Sequence, residues 1–354
     1  MRRALAALAI FALAACGGTT APASGAPPAA SVPALASAGA KPASSGLTEV
    51  RIGYQATINS APTFVGVDEG LFAARGLKVS MTPVSGTEQT MVAMANGQLD
   101  MGNVSFGIAA LNALSRGADL KIVTSGTYEA PGHAAFAPLM VRSDLFDSGQ
   151  VTTVAQVKGH KLALNSRGGG QEYSLYRALK TGGLTPNDVD IIAVPWPEMV
   201  SAFANRALDA GLVAHPIADQ AISKGVAKII SDDYLAGSQG AGIMANSKFL
   251  EQHFDAAVNF IAVLVQLQRK FNNGGLKKDD QALAILEKYS KISPEVTRQA
   301  PDPYWPPDGR DNIKDLEAQQ AYYMETKGVS YTQPLDFTKI VDERALDAAL
   351  KTLN

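Results

Sequence analysis

Cysteine is almost absent: the 354-residue chain has one, Cys16. A single thiol cannot close an intramolecular disulfide, and it excludes cysteine-rich zinc and iron–sulfur sites. Histidine is also scarce. His133, His160, His215 and His253 stand far apart with no HxH or HxxxH spacing, so a protein-made zinc site is not expected; no cofactor is expected either. Charge is thin at 18% of residues, below the roughly 25% of an average soluble domain. Lys+Arg at 31 against Asp+Glu at 33 leave a net charge of −2, without the cationic surplus that nucleic-acid binding needs. The apolar stretch Ala4–Leu13 is shorter than the roughly 20 residues that span a bilayer. What the chain does have is a 46% hydrophobic content and the length for two domains.

The N-terminus reads as an address. Arg2 and Arg3 form a cationic start, Ala4–Leu13 a short apolar segment, and Leu13-Ala14-Ala15-Cys16 resembles a bacterial lipobox. The expected division is a signal peptide at 1–15, with the lipid attached to Cys16. Residues 17–46 are Ala, Pro, Ser and Gly with almost no charge, too poor in apolar side chains to offset the entropy of ordering. They are expected to be a disordered tether. The folded body would then sit at the periplasmic or extracellular face, lipid-anchored to a bacterial membrane.

From Glu49 onward strand and helix patterns alternate. Val50, Ile52 and Tyr54 have the period of a strand, and Pro62 opens a helix that Gly76 is expected to close. Leu77–Val84 reads as a strand, and Ser85-Gly86-Thr87-Glu88 fits a capping box. Such alternation predicts an α/β fold with a mostly parallel sheet. Ala95-Asn96-Gly97-Gln98-Leu99-Asp100-Met101-Gly102 matches Ala204-Asn205-Arg206-Ala207-Leu208-Asp209-Ala210-Gly211 in the pattern A-N-x-x-L-D-x-G. The flanking elements agree too, which predicts a duplicated lobe with a ligand cleft between the copies. Register pairs Ser105 and Phe106 with Ala214 and His215, facing each other across that cleft.

These residues also resemble a known family, the periplasmic substrate-binding proteins of ABC importers, in the group with nitrate-, taurine-, alkanesulfonate- and thiamine-pyrimidine-binding members. Arg51-Ile52-Gly53-Tyr54, Ala61-Pro62, Asp68-Glu69-Gly70-Leu71-Phe72, Arg75-Gly76-Leu77, Asn96 to Gly102 and Val157 to Leu162 carry the resemblance. It implies a two-lobed type II periplasmic-binding-protein fold, each lobe a mixed, mostly parallel sheet flanked by helices, with a helical C-terminal region. Lobe one is expected at 47–142 plus 240–354 and lobe two at 143–239, with crossings near Val141–Leu145 and Asp233–Gly240. It further implies a monomeric receptor whose partners are a small-molecule solute and an ABC transporter permease. A ligand-sensing lipoprotein is the alternative. The family also resembles a desulfinase and a thiamine-pyrimidine synthase that use cysteine. This chain's sole cysteine lies in the signal, so no enzyme is expected.

The candidate ligand contacts are loop residues at strand ends. Ser166, Arg167, Gly168 and Gly169 lie between a strand and a helix, where backbone N–H groups can cradle an anion, or else form a plain turn. Gln55, Thr57 and Asn59 follow the first strand, with Ser60 as a helix cap. Ser85 and Gly86, and then Asn103, Ser105 and Phe106, occupy similar loops and could equally serve helix capping. Tyr128, Trp196 and Tyr234 could stack on a ligand or simply pack. His215 could donate to an anion or be structural. Trp305, in a proline-rich run, is expected to pin a loop. The favoured solute is a small sulfonate- or carboxylate-like anion. A thiamine-pyrimidine-like or other neutral, aromatic solute is the alternative.

Overall fold

Val50 and Ile52 alternate with Glu49 and Arg51, and this period of two buries Val50 and Ile52 on one side of the first strand. The computed structural model describes residues 46–129, 135–165, 170–215 and 217–353. Cys16 and its flanking signal and tether lie outside them. Among the described residues ten strands form in chain order: β1 (Thr48–Tyr54), β2 (Leu77–Pro83), β3 (Met101–Ser105), β4 (Leu120–Ser125), β5 (Leu139–Arg142), β6 (Lys161–Leu164), β7 (Asp190–Ala193), β8 (Ala210–Leu212), β9 (Ala227–Ser231) and β10 (Ala241–Asn246). They make two sheets, ordered β2-β1-β3-β10-β4 and β7-β6-β8-β5-β9.

The two sheets correspond strand for strand. In each, the first three positions are parallel and the fourth, β10 or β5, runs antiparallel to both neighbours. The repeated sequence supplies the third strand of each, β3 and β8. Its Leu99 and Leu208 are buried. Its aspartates make the same backbone exchange with the neighbouring strand. Asp100 accepts the Arg51 N–H on Oδ2 at 2.8 Å and returns its own N–H to the Arg51 carbonyl at 2.8 Å. Asp209 accepts the Lys161 N–H at 3.2 Å and returns its N–H to the Lys161 carbonyl at 3.0 Å. Each aspartate also holds an arginine, Asp100 with Arg51 and Asp209 with Arg142. The repeat therefore has a structural cause, a carboxylate clip at the amino ends of the parallel strands.

Strand β5 was expected at the end of lobe one. It pairs instead with β8 and β9, inside the second sheet. Leu139, Met140 and Val141 are all fully buried, as a central strand covered on both faces requires. The first crossing between sheets thus falls after Ser125, one strand earlier than the sequence suggested, and the second falls between Ser231 and Ala241.

Two local readings change as well. Ser60 does not cap its helix; its hydroxyl donates to the Gln55 carbonyl at 2.7 Å. Gly86, not Ser85, is the N-cap of the next helix, and Ser85 bonds Gln89 Oε1 through its N–H and hydroxyl. The C-terminal tail is helical. Helix Phe254–Phe271 lays Phe260, Ile261, Leu264 and Val265 against β1 and its neighbours, in one core with helices Asp280–Ser290 and Arg344–Lys351.

Asp100→Ala is expected to cost about 1–3 kcal/mol of stability in urea denaturation, because it leaves both the strand clip and Arg51 unpaired. Asp209→Ala should cost less, since its carboxylate is 26% exposed against 10% for Asp100. An unchanged midpoint for Asp100→Ala would show that the clip holds nothing.

Candidate functional site

The two segments that cross between sheets pair with each other as a short antiparallel ribbon. Gly126 N–H donates to the Ala241 carbonyl at 2.9 Å, Gly240 N–H to Thr127 at 3.0 Å, Glu129 N–H to Ser238 at 3.0 Å and Gly237 N–H to Glu129 at 2.9 Å. Glycine is needed at 126, where a Cβ would come within 2.9 Å of the Ala241 carbonyl carbon. A third segment joins at Tyr128, whose N–H donates to the Tyr304 carbonyl at 2.8 Å. The Tyr128 hydroxyl donates to the Arg310 carbonyl at 2.7 Å and lies 2.9 Å from Gln239 Oε1. Burial pushes that phenol well above its ordinary pKa, so it remains a donor.

A buried carboxylate ties this ribbon to both lobes. Asp315, on helix Ile313–Glu325, accepts from Ser238 Oγ at 3.0 Å, the Gln239 N–H at 2.8 Å and Gln319 Nε2 at 2.8 Å. Its other oxygen accepts from Arg177 Nη1 at 2.9 Å and the Tyr173 hydroxyl at 3.2 Å, both on helix Gly170–Thr181. That helix packs Leu175, Ala178 and Leu179 into the second lobe's core but sends Tyr173 into a core of the first. There Tyr173 and Tyr176 meet Tyr322, with ring centroids 5.6 and 4.8 Å apart.

Beside the ribbon, at the carboxyl end of β1, lies a cavity of about 510 Å3. The loop after β1 contributes Ala56, Thr57, Ile58 and Asn59; the ribbon contributes Thr127, Tyr128, Glu129 and Gly240. Ile292 and the run Ala300 to Pro303 close one side, and Phe136, just before β5, enters from the second lobe. Phe136 is 43% exposed and its ring meets Trp196 edge-on at 5.8 Å. The proline run is held because Trp305 is buried and its backbone exchanges two hydrogen bonds with the Asn272 amide. Burial alone raises the Glu129 carboxyl above the usual carboxylate range. Among the described residues no group of three metal-ligating side chains forms, and no helix is long and apolar enough to cross a membrane.

A sequence model of the NMT1-like family matches residues 43–285, more than half of the chain. The chain belongs to the NMT1-like family. No curated protein sequence matches it. Among solved structures it is similar to the periplasmic aliphatic sulphonate binding protein of Escherichia coli, at 20% identity and a TM-score of 0.64, over 83% of this chain and 92% of that one. It is also similar to the periplasmic nitrate-binding protein of Synechocystis PCC 6803, at 16% identity and 0.56, over 87% and 89%. A third likeness is the desulfurization enzyme DSZB, at 14% and 0.55, over 86% and 99%. At these identities the likeness is one of fold, and the fold is the two-lobed periplasmic-binding-protein architecture.

In this NMT1-like chain, Thr57, Asn59 and Tyr128 line the cavity, and Trp196 stands behind Phe136. The Trp196 Nε1 is buried with no hydrogen-bond partner among the described residues. The other sequence candidates do not line it. Gln55 stops short of the wall. Ser85 and Gly86 serve the start of a helix. Asn103 is an interior position of β3, opposite Ile243. Ser105 is exposed and gives its N–H to Thr87 Oγ1 at 3.1 Å. Phe106 turns inward, its ring lying where a side chain on Gly242 would be. His215 bonds Asp219 through Nδ1 at 2.9 Å. The expected meeting of Ser105 and Phe106 with Ala214 and His215 does not occur in this cavity. Tyr234 packs in the second lobe's core, its hydroxyl on the Ala137 carbonyl at 2.6 Å. Ser166, Arg167, Gly168 and Gly169, and also His133, lie outside the described residues.

Phe136, Glu129, Asp302 and Ile292 were missed. Glu129 and Asp302 both sit in irregular, proline-containing runs of the sequence, and that was the available signal. Phe136 and Ile292 carry none, because only the fold brings them to β1.

Asp311 gives the crossing ribbon a pH dependence. Burial pushes its carboxyl up to about 7, despite the Gln239 amide that donates to it at 2.5 Å. The folded-state value stands above the unfolded one of about 4. This group's contribution to stability is therefore full below about pH 4 and is lost as pH rises through about 7. Asp311→Asn should flatten that loss, raising the melting temperature more at pH 8 than at pH 5. Parallel melting profiles for the two proteins would contradict the assignment.

Proposed function

We propose that the chain is an extracytoplasmic solute receptor that captures one small molecule in the cavity beside the crossing ribbon and presents it to an ABC transporter permease. The observation that carries this reading is the cavity itself. It lies where the chain passes between lobes, and it is lined from the first lobe, the hinge and the second lobe together. A solute held there makes contacts that depend on the angle between lobes, so its binding shifts a hinge equilibrium. The E. coli and Synechocystis proteins of the same fold are named as sulphonate- and nitrate-binding, which supports a receptor. The N-terminal lipobox-like sequence supports attachment to a membrane by lipid on Cys16.

The contacts proposed for the solute are Thr57, Asn59 and Tyr128, with Phe136 backed by Trp196 covering an apolar or aromatic portion. The described lining offers an anion no lysine, arginine or histidine. It therefore supports the aromatic alternative better than the sulfonate-like expectation, which rested on Arg167 and its glycine loop. Catalysis is the second reading, because the desulfurization enzyme shares the fold. The described lining holds no cysteine, and no histidine or lysine to activate the hydroxyls of Thr57 and Thr127, which favours the receptor.

Calorimetry against sulfonates, carboxylates, nitrate and aminopyrimidines should give one tight, one-to-one binder. Phe136→Ala should weaken it about tenfold or more, the worth of burying one phenyl ring, with little change in melting temperature. Binding that is indifferent to Phe136→Ala would place the solute elsewhere.

A further inference from the structure

Among the described residues the cavity's ionisable groups are of one sign. Glu129 and Asp302 line it, and no cationic side chain does among the described residues. The two carboxylates are not equivalent. Asp302 is already paired, with Lys277 Nζ at 3.1 Å. Glu129 has its backbone fixed in the crossing ribbon, yet its carboxylate makes no hydrogen bond or ion pair with any described residue. The nearby phenol cannot serve it, since the Tyr234 hydroxyl is committed to the Ala137 carbonyl. A half-buried carboxylate without a partner is costly, and a bound cation is what would relieve that cost.

The rest of the wall suits the same ligand. Tyr128 presents its ring, because its hydroxyl is tied to the Arg310 carbonyl. Phe136 is held edge-on by Trp196 and left 43% exposed. Aromatic faces attract an ammonium group through the negative ring quadrupole, and they accept an apolar body equally well. A sulfonate or carboxylate would instead lie beside an unneutralised carboxylate in a partly desolvated space, where like charges repel strongly.

Resting on the receptor reading, we infer that the solute is a small organic cation, an amine with an apolar or aromatic body, whose charge is met by Glu129. Thr57 and Asn59, the latter with its amide 3.4 Å from Thr127 Oγ1, then supply side-chain hydrogen-bonding groups from the loop after β1. The position of Glu129 in the ribbon makes the ion pair a contact on the hinge itself.

The test uses probes that differ only in charge: benzylamine, benzyl alcohol and phenylmethanesulfonate, with linear alkylamines and alkanesulfonates as a second series, each titrated calorimetrically into the purified protein. The amines should bind more tightly than the neutral alcohol, and the sulfonates should not bind. Glu129→Gln, shown folded by circular dichroism, should remove about tenfold or more of the amine's advantage and leave the alcohol unchanged. If the sulfonates bind and the amines do not, the cation assignment is wrong while the receptor reading stands. Amine binding unchanged in Glu129→Gln also overturns the assignment. Silence from every probe overturns the assignment, and the receptor reading falls with it only if carboxylates, nitrate and aminopyrimidines are silent as well.

Discussion

The arrangement of the lobes depends on one buried carboxylate, Asp315. An anion in that position would cost several kcal/mol if unsatisfied. Five donors meet it: a side chain and a backbone N–H from the second crossing, an amide from its own helix, and Arg177 and Tyr173 from the second lobe. Because those donors come from three separate parts of the chain, satisfying one charge fixes all three relative to each other. The tyrosine contacts between helices Gly170–Thr181 and Ile313–Glu325 extend the same junction with apolar surface. The cavity lies beside the ribbon that Asp315 holds, so its shape depends on this junction.

The duplicated architecture explains why the lobes are alike in topology and unlike in role. Both sheets use the same strand order and the same aspartate clip at the amino ends of their strands. The carboxyl ends are left free for loops, which is where the cavity forms. Only the first sheet receives the long C-terminal helices, and with them the Trp305-anchored proline run that walls the cavity. Among the described residues the second lobe supplies Phe136 at that wall, with Trp196 against it. The added C-terminal wall supports the proposed receptor, with one lobe holding the solute and the other closing over it.

The sequence made the repeat legible because Leu99-Asp100 and Leu208-Asp209 act locally, burying a leucine and clipping the next strand. The strand and helix alternation was readable for the same reason. Strand β5 was misassigned because Leu139-Met140-Val141 shows no alternation, and a continuous apolar run fits a central strand in either sheet. The cavity was only partly legible. Thr57, Asn59 and Tyr128 follow strands directly, so strand-end logic reached them. Ser105, Phe106 and His215 obey the same logic, yet their side chains are exposed, turned inward or paired with Asp219. Phe136, Ile292 and Asp302 reach the site only through tertiary folding, and no periodicity marks them. The preference for an anionic solute followed the one visible arginine, Arg167, while the carboxylate at position 129 passed as an ordinary loop residue.

A solute that binds against the crossing ribbon should draw the lobes together there. Hydrogen–deuterium exchange, with and without a saturating solute found by calorimetry, reads this out. Slowed exchange is expected in three separated stretches at once, 56–59, 126–129 with 237–241, and 300–305, since all three meet at the cavity. Protection confined to another part of either lobe, with these three stretches unchanged, would contradict it.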